Sequence, residues 1–264
     1  MSTKIEWTEE TWNPVTGCTK ISAGCQHCYA ERMAHRLAGR FGYPPAPDQF
    51  KVTLHPDRLD DPLHWNKPRK VFVCSMGDLF HENVDPEIIM QVIDVIVATP
   101  KHTYQILTKR PERMYRYLKQ YFKHISKKVP TNLWLGVTAE NQEAADERIP
   151  WLLKTPAAVR FVSVEPMLGP VNIALIDDAF YDAGIPVTWQ RLEQGRGIDW
   201  VICGGETGPG ARPMAWHWAE SLHQQCLDAD VPFFFKKPGD AFEDNPHLLP
   251  LSVRQWPKVV THAE

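Results

Sequence analysis

Short runs of β-branched and aromatic residues alternate with longer stretches of helical character along most of this chain. The β-type runs cover residues 70–75, 103–108, 133–138, 159–164, 200–203 and 232–236, with an earlier one expected around residues 4–7. The helical stretches cover residues 29–38, 86–98, 111–121, 142–153 and 215–227. This alternation, repeated roughly every thirty residues, is typical of βαβ units around a parallel sheet. It predicts an α/β fold, namely a full or partial (β/α) TIM-type barrel.

Two stretches interrupt the alternation. Residues 41–70 contain many prolines and lack a clear period, and residues 176–197 are similarly irregular. We expect both to be loop-rich insertions. Residues 240–264 are expected to form a C-terminal extension, which leaves residues 1–239 as the main domain.

The composition argues against a membrane-spanning chain and against a general polycation. The chain has 264 residues and a formal net charge of -3. No apolar run approaches the ~20 residues that cross a bilayer, and the polar start of the chain does not read as a signal peptide. We therefore expect a cytoplasmic protein that makes no use of a membrane, with any nucleic-acid surface confined to a local patch.

Half of the six cysteines lie in one short segment, as Cys18, Cys25 and Cys28. Gly17 and Gly24 each precede one of them, which allows tight turns that bring thiolates around one point. Three thiolates without an obvious fourth ligand favour an iron–sulfur cluster with one iron left open.

Two alternatives to a cluster remain for this segment. A structural zinc site is closed by four ligands, and His27 or His35 is available to complete a zinc knuckle. A disulfide is the weaker alternative, because the number of cysteines in the segment is odd and nothing else suggests secretion.

Polar side chains follow the expected strands at the points where the strands end. They are Ser75, Asp78, Lys109, Thr138, Glu140, Asn141, Glu165 and Glu206. In a barrel of parallel strands such positions meet at one face, where functional residues lie. Each also has a local interpretation: Asp78 and Asn141 as helix caps, Lys109 as a partner of Glu112, and Glu165 as part of a turn.

Positive charge is concentrated between residues 101 and 128. This segment holds nine Lys or Arg residues and a single acid, and aromatic residues are interleaved with them. Such a pattern is typical of a surface that contacts phosphates and stacks on bases, and the candidate contacts are Arg110, Arg113, Arg116 and Lys119. The alternative is a solvated helix whose aromatic residues belong to the core.

Several stretches together resemble the phage-associated three-cysteine-motif proteins, a family of the radical S-adenosylmethionine (radical SAM) type. They are IEWTEETWNPVTGC (5–18), GCQHCYAE (24–31), FVCSMGDLFH (72–81), LTKRPER (107–113), GVTAEN (136–141), SVEP (163–166), GGE (204–206) and PFFFK (232–236). The cysteine segment is also distantly similar to that of spore photoproduct lyase-like enzymes, although six residues separate Cys18 from Cys25, more than is usual there.

The resemblance implies a radical SAM barrel that binds a 4Fe-4S cluster through Cys18, Cys25 and Cys28. It further implies that S-adenosylmethionine is bound by strand-end residues, with Asp78 and Ser75 suited to its ammonium, Lys109 to its carboxylate, and Glu140 or Asn141 to its ribose. The remaining cofactor candidates are Thr138 and Glu165.

The expected reaction is cleavage of S-adenosylmethionine by an electron from the reduced cluster, followed by abstraction of a substrate hydrogen atom. Cys74 and Cys203 are candidate hydrogen-atom donors, and Glu206 is expected near the substrate. The substrate expected is a nucleobase in nucleic acid or a nucleotide-like molecule.

The expected partners are an electron donor such as flavodoxin and a separately encoded protein. A phage-encoded protein of this kind would act in the host cytoplasm. The competing class is a non-enzymatic zinc-binding module that binds nucleic acid, or an adaptor for that separate partner.

Overall fold

The computed structural model describes residues 3, 5–125, 128–173, 197–241 and 253–257. Of the expected insertion at 176–197, all but its last residue lies outside the described residues, as does most of the expected extension at 240–264. Among the helices of the described ranges, none is both long enough and apolar enough to cross a membrane.

The observed strands and helices alternate as the sequence predicts. The strands are β1 (Glu10–Trp12), β2 (Val15–Thr16), β3 (Thr53–Leu54), β4 (Lys70–Val73), β5 (Thr103–Thr108), β6 (Leu133–Thr138), β7 (Val159–Val164), β8 (Trp200–Cys203) and β9 (Phe233–Phe235). The helices are α1 (Tyr29–Leu37), α2 (Pro86–Ala98), α3 (Pro111–Ile125), α4 (Gln142–Lys154) and α5 (Trp216–Asp228).

The main sheet has seven strands in the order β1-β4-β5-β6-β7-β8-β9, and β2 pairs with β3 in a separate antiparallel ribbon. The pairs β1/β4, β4/β5, β7/β8 and β8/β9 are all parallel. The prediction of an α/β fold with a parallel sheet is therefore confirmed.

The chain forms two compact units. The N-terminal unit comprises residues 1–135 with 156–158, and the C-terminal unit comprises residues 136–155 with 159–264. The boundary falls within β6.

In the N-terminal unit, α2 buries one apolar face. Ile89, Val92, Ile93 and Ile96 are fully buried at the spacing that places residues on one side of a helix. The helix begins where the Asp85 carboxylate accepts the Glu87 N–H at 2.8 Å. Its start and end match the sequence-based expectation because cap and periodicity agree.

In the C-terminal unit, β7 and β8 are buried along their whole length, as is typical of parallel strands covered on both faces. β9 continues this core through three buried phenylalanines. Part of the expected C-terminal extension joins it: Arg254 forms an antiparallel bridge with Phe234, and the Phe235 N–H donates to the Val253 carbonyl at 2.8 Å.

Two elements differ from expectation by more than two residues. The first strand lies at Glu10–Trp12 rather than around residues 4–7, because Glu10 to Trp12 pair with Val71 to Val73. Trp7 instead packs on Phe72, with ring centroids 4.7 Å apart. Helix α3 continues to Ile125 rather than ending near residue 121.

Candidate functional site

The cysteine segment begins with a tight backbone contact in the N-terminal unit. Gly17 has φ +83, and its N–H donates to the Met76 carbonyl at 2.9 Å. The Cys18 N–H donates to the Phe50 carbonyl at 3.1 Å. These bonds hold Cys18 beside the loop that follows β4.

The three clustered cysteines are free thiols, and each is partly exposed. Cys25 ends a short 3-10 turn, and Cys28 immediately precedes α1. The Cys25 sulfur lies 3.7 Å from Ser22 Oγ. The segment therefore presents all three thiols rather than burying them as core residues.

A cationic side chain acts on each of two thiols: Arg110 on Cys18 and Lys109 on Cys25. Arg110 Nη1 donates to Cys18 Sγ at 3.4 Å. Burial and then the Asp78 charge raise the pKa of Cys18 to about 11, against the opposing effect of Arg110. Partial burial also acts to raise the pKa of Cys25, but the Lys109 charge and hydrogen bonds from the segment's own backbone lower it overall.

The donor set suits a thiophilic metal or cluster in chemistry: three free, partly exposed thiols lie on one segment with cations nearby. Within the described ranges, however, no three His, Cys, Asp or Glu side chains lie close enough together to hold one metal ion. Ligation would require the thiols to approach one another. For the zinc alternative, His35 Nδ1 already lies 2.7 Å from the Gln49 side-chain nitrogen.

Asp78 is buried and serves as an acceptor for the protein itself. The Thr108 hydroxyl lies 2.8 and 2.9 Å from its two oxygens, and the Phe80 and Lys109 N–H groups donate at 3.0 and 3.2 Å. Arg110 adds an ion pair at 3.2 Å. A ligand ammonium would have to displace one of these donors, since a carboxylate offers about four acceptor sites.

Ser75 and Lys109, two further predicted cofactor contacts, are half-buried. The Ser75 hydroxyl donates to Asn13 Oδ1 at 3.2 Å. The Lys109 backbone N–H donates to the Asp78 carboxylate at 3.2 Å. The charge of the Lys109 ammonium acts on Cys25 and lowers the pKa of that thiol. The structure thus brings Ser75, Asp78 and Lys109 to the strand ends beside the cysteine segment.

The expected nucleic-acid contacts on α3 do not form one exposed face. Arg110 is only 6% exposed and is bound by Asp78 and Glu82, so its guanidinium is held inside the protein and not on an exposed face. Arg113 is half-buried and donates to the Val84 carbonyl at 2.6 Å. Arg116 and Lys119 are exposed.

The aromatic residues of α3 follow the structural alternative more closely than the stacking one. Tyr121 and Phe122 are buried, and the Tyr121 hydroxyl donates to Asp94 at 2.5 Å. Tyr115 is covered by the Lys119 ammonium, 5.0 Å from its ring centroid. Exposed cations beside buried and half-buried rings suit phosphate contacts better than base stacking.

In the C-terminal unit, the residues that follow β6 are largely engaged. Arg148 Nη1 donates to Glu140 Oε2 and to the Thr138 carbonyl, both at 2.8 Å. Asn141 caps α4 by accepting the Ala144 N–H at 2.9 Å, which confirms its local interpretation. Glu140 and Arg148 thereby form a buried ion pair with exposed fractions of 1% and 3%.

Glu165 pairs with a residue that the sequence reasoning missed. Lys236 Nζ lies 2.5 Å from Glu165 Oε1, and both side chains are 20% exposed. The two follow β7 and β9, and Gly204 follows β8, which lies between them. A Cβ on Gly204 would stand 3.4 Å from Lys236 Cβ and 3.5 Å from Glu165 Cδ, so the glycine leaves room for the pair. The sequence signal that could have identified Lys236 is its position directly after a run of three phenylalanines.

Glu206 is also held by a cation. Its carboxylate accepts from the Arg212 guanidinium at 2.5 and 2.8 Å and from the Arg212 N–H at 2.9 Å. The hydrogen bond to Glu206 raises the pKa of Arg212 despite partial burial. Glu206 is therefore a bound carboxylate at the end of β8.

The two candidate hydrogen-atom donors are buried. Cys74 is 3% exposed, and burial raises its pKa to about 12. Cys203 is fully buried with its sulfur 3.7 Å from the Met167 sulfur, and burial raises its pKa as well. Both thiols keep their protons at neutral pH and occupy the positions of small core residues.

The fold and the site define an α/β protein in which each unit carries polar side chains at the carboxyl ends of its parallel strands, and whose N-terminal unit holds a three-cysteine segment. Residues 2–259 match the family model described as "Protein of unknown function (DUF5131)", and the chain belongs to that family. No match was found among the curated proteins or among the solved structures.

Proposed function

We propose that this protein is a radical SAM enzyme that binds a 4Fe-4S cluster through Cys18, Cys25 and Cys28. The observation that carries the proposal is the set of three free, partly exposed thiols on one segment, held beside the ends of β4 and β5. An iron–sulfur cluster with three protein thiolates keeps one iron open for a further ligand. The resemblance of the surrounding stretches to three-cysteine-motif proteins supports the same proposal.

A cluster held by Cys18, Cys25 and Cys28 would supply one electron for the reductive cleavage of S-adenosylmethionine, and that cleavage would make hydrogen-atom abstraction from a substrate possible. The chain's own residues bind and orient the cofactor. Lys109, beside Cys25, provides a cation for its carboxylate, and Ser75 provides a hydroxyl for its ammonium. Asp78 contributes mainly by fixing the Lys109 backbone at 3.2 Å.

In the C-terminal unit, Glu165 and Lys236 are the pair best suited to a polar ligand, because both remain partly exposed at strand ends. Thr138, Glu140 and Asn141 remain proposed ribose and cofactor contacts, and Glu206 remains the proposed substrate contact. Hydrogen bonds within the protein hold the side chains of Glu140, Asn141 and Glu206 in fixed positions. Cys74 and Cys203 remain hydrogen-atom donors only if substrate reaches the core.

The substrate we propose is a nucleobase in nucleic acid or a nucleotide-like molecule, in the cytoplasm of the cell that makes the protein. The support is the exposed cations of α3, Arg116 and Lys119, within a segment of nine basic residues and one acid. The enzyme would take its electron from a donor such as flavodoxin. A separately encoded protein is the second proposed partner, and activity that appears only when that protein is added would support it.

The proposal is tested by anaerobic reconstitution with iron and sulfide, followed by incubation with S-adenosylmethionine and dithionite. We expect 5′-deoxyadenosine in the wild type and none in Cys25→Ala. Lys109→Ala should retain the cluster but bind S-adenosylmethionine more weakly. A reconstituted wild type that binds no S-adenosylmethionine and releases no 5′-deoxyadenosine would contradict the proposal.

A further inference from the structure

Arg110 makes more polar contacts in the N-terminal unit than its position on a basic segment suggests. Its side chain is 5% exposed, and Nε donates to both oxygens of Glu82 at 2.9 and 3.0 Å. Nη1 lies 3.2 Å from Asp78 Oδ2. These two acids hold the guanidinium in place.

The remaining N–H groups of Arg110 point at the start of the cysteine segment. Nη1 donates to Cys18 Sγ at 3.4 Å, and Nη2 donates to the Thr19 hydroxyl at 3.0 Å and to the Thr19 carbonyl at 3.3 Å. A planar guanidinium has five N–H donors in a fixed arrangement. The contacts with Glu82, Asp78, Cys18 and Thr19 together use all five.

His81 contacts the same residue of the cysteine segment, Thr19. Its Nδ1 accepts the Asn83 N–H at 3.0 Å, so the neutral ring carries its proton on Nε2. Nε2 lies 2.9 Å from the Thr19 hydroxyl and donates to it. Thr19 is thus held by both Arg110 and His81, which fixes the residue next to Cys18.

We propose that Arg110 is a positioning residue for the metal site of the cysteine segment. It holds the Cys18 sulfur as the fixed point that the other two thiols approach when they bind a metal, and it stabilises the ligating thiolate by a charge-assisted N–H···S hydrogen bond. The inference rests on the proposed function for the identity of the metal group, but the positioning applies to any thiophilic metal bound there. A purely structural Arg–Asp–Glu network would need no contact with Cys18 or Thr19.

The test uses the full-length, metal-free protein and Co²⁺ as the probe, added anaerobically. Thiolate-to-cobalt absorption reports ligation by the cysteines. Arg110→Gln should weaken Co²⁺ binding by about 10- to 100-fold, the usual effect of removing a hydrogen-bonding partner of a metal ligand. Arg110→Lys should recover part of the loss, because the charge remains while the fork is lost.

The matched control is Arg69→Gln. Arg69 also pairs with a buried carboxylate of the N-terminal unit, that of Glu10, but among the described residues it has no hydrogen bond to the cysteine segment. Its Co²⁺ affinity should equal that of the wild type. A similar loss in both variants would assign the effect to general destabilisation and overturn the proposal.

Two further variants guard against misfolding. The first is the double variant Asp78→Asn with Arg110→Gln, in which the loss of Arg110 leaves no buried carboxylate unpaired. Its Co²⁺ affinity is measured if Arg110→Gln alone fails to fold. Thr19→Val changes an exposed residue and removes only the hydroxyl that Arg110 and His81 contact. It should weaken Co²⁺ binding by about tenfold.

The reconstituted iron protein provides the second measurement. Loss of an N–H···S hydrogen bond should make the reduction potential of the cluster more negative in Arg110→Gln than in Arg69→Gln. A wild type that takes up no iron and sulfide, yet whose Co²⁺ affinity falls with Arg110→Gln, would refute the proposed function and support this inference. Unchanged Co²⁺ affinity in folded Arg110 and Thr19 variants, or no thiolate-bound Co²⁺ in the wild type, would overturn it.

Discussion

The backbones of Gly17 and Gly77 form a parallel bridge, and a Cβ placed on Gly77 would stand 2.8 Å from the Gly17 carbonyl oxygen. A Cβ placed on Gly17 itself would stand 2.2 Å from the Lys51 carbonyl oxygen. The cysteine segment therefore starts between two backbone segments with no space for a side chain. This contact determines where Cys18 lies relative to the end of β4.

We predict that Gly17→Ala destabilises the protein well beyond the conformational cost alone. Gly17 has φ +83, and an alanine there would also overlap the backbone of Lys51. The matched control is Gly39→Ala, which has φ +69 but nothing within 4 Å of the added Cβ. Urea unfolding should show a loss of ~1–2 kcal/mol for the control and ~1–3 kcal/mol more for Gly17→Ala. Equal losses would show that the close approach is unimportant.

We predict that Arg148→Met is strongly destabilising because it leaves Glu140 buried without its ion-pair partner. The two side chains are 3% and 1% exposed, and the expected loss in the free energy of unfolding is ~3–5 kcal/mol. Arg116→Ala is the control: its pair with Glu112 is exposed on α3 and should contribute less than ~1 kcal/mol. Chemical denaturation of both variants checks this, and a small loss for Arg148→Met would contradict it.

We predict that stability falls as the pH is lowered below 6.5, in part because of His102. This side chain is fully buried, and burial lowers its pKa below the ordinary 6.5, helped by the charges of Lys101 and Arg69. The unfolded chain therefore binds the proton first, so the contribution is complete above pH 6.5 and is lost as pH falls through the lower folded-state value. In His102→Phe, the urea midpoint should change less between pH 7.5 and 5.5 than in the wild type. An identical change would exclude His102 from this effect.

We predict salt-dependent binding of a polyanion by the exposed face of α3. Arg116 and Lys119 are exposed there, whereas Arg110 is buried. The logarithm of affinity for single-stranded DNA or RNA should fall linearly with the logarithm of salt, and Lys119→Ala should flatten the slope by about one unit. Lys51→Ala, an exposed lysine in another loop, should leave the slope unchanged. Binding that is absent, or unaffected by salt, would favour a small-molecule substrate.

The core of the fold could be predicted because its local signals are strong. β5, β6, β7 and β8 begin and end at the residues that their β-branched and aromatic runs predict. Such runs are typical of parallel strands buried on both faces, and they need no knowledge of the rest of the chain. α2 was equally predictable from its proline start and its apolar period.

The features that could not be predicted depend on partners distant in sequence. β1 is a short polar strand that forms only because Glu10 to Trp12 pair with Val71 to Val73. The charge of Arg110 indicates a surface residue, and only the folded chain reveals its contacts with Asp78 and Glu82. The pairing of Glu165 with Lys236 likewise depends on the order of β7, β8 and β9 in the sheet.

The most direct test of the central claim is the metal content of protein purified without oxygen. The account predicts about four iron and four sulfide per wild-type chain, with a broad absorption in the blue part of the visible spectrum that weakens on reduction. Cys18→Ala, Cys25→Ala and Cys28→Ala should each lose the iron, whereas Cys226→Ala, which changes a buried cysteine outside the segment, should keep it. One zinc per chain with neither iron nor sulfide would contradict the account and support a zinc-binding module instead.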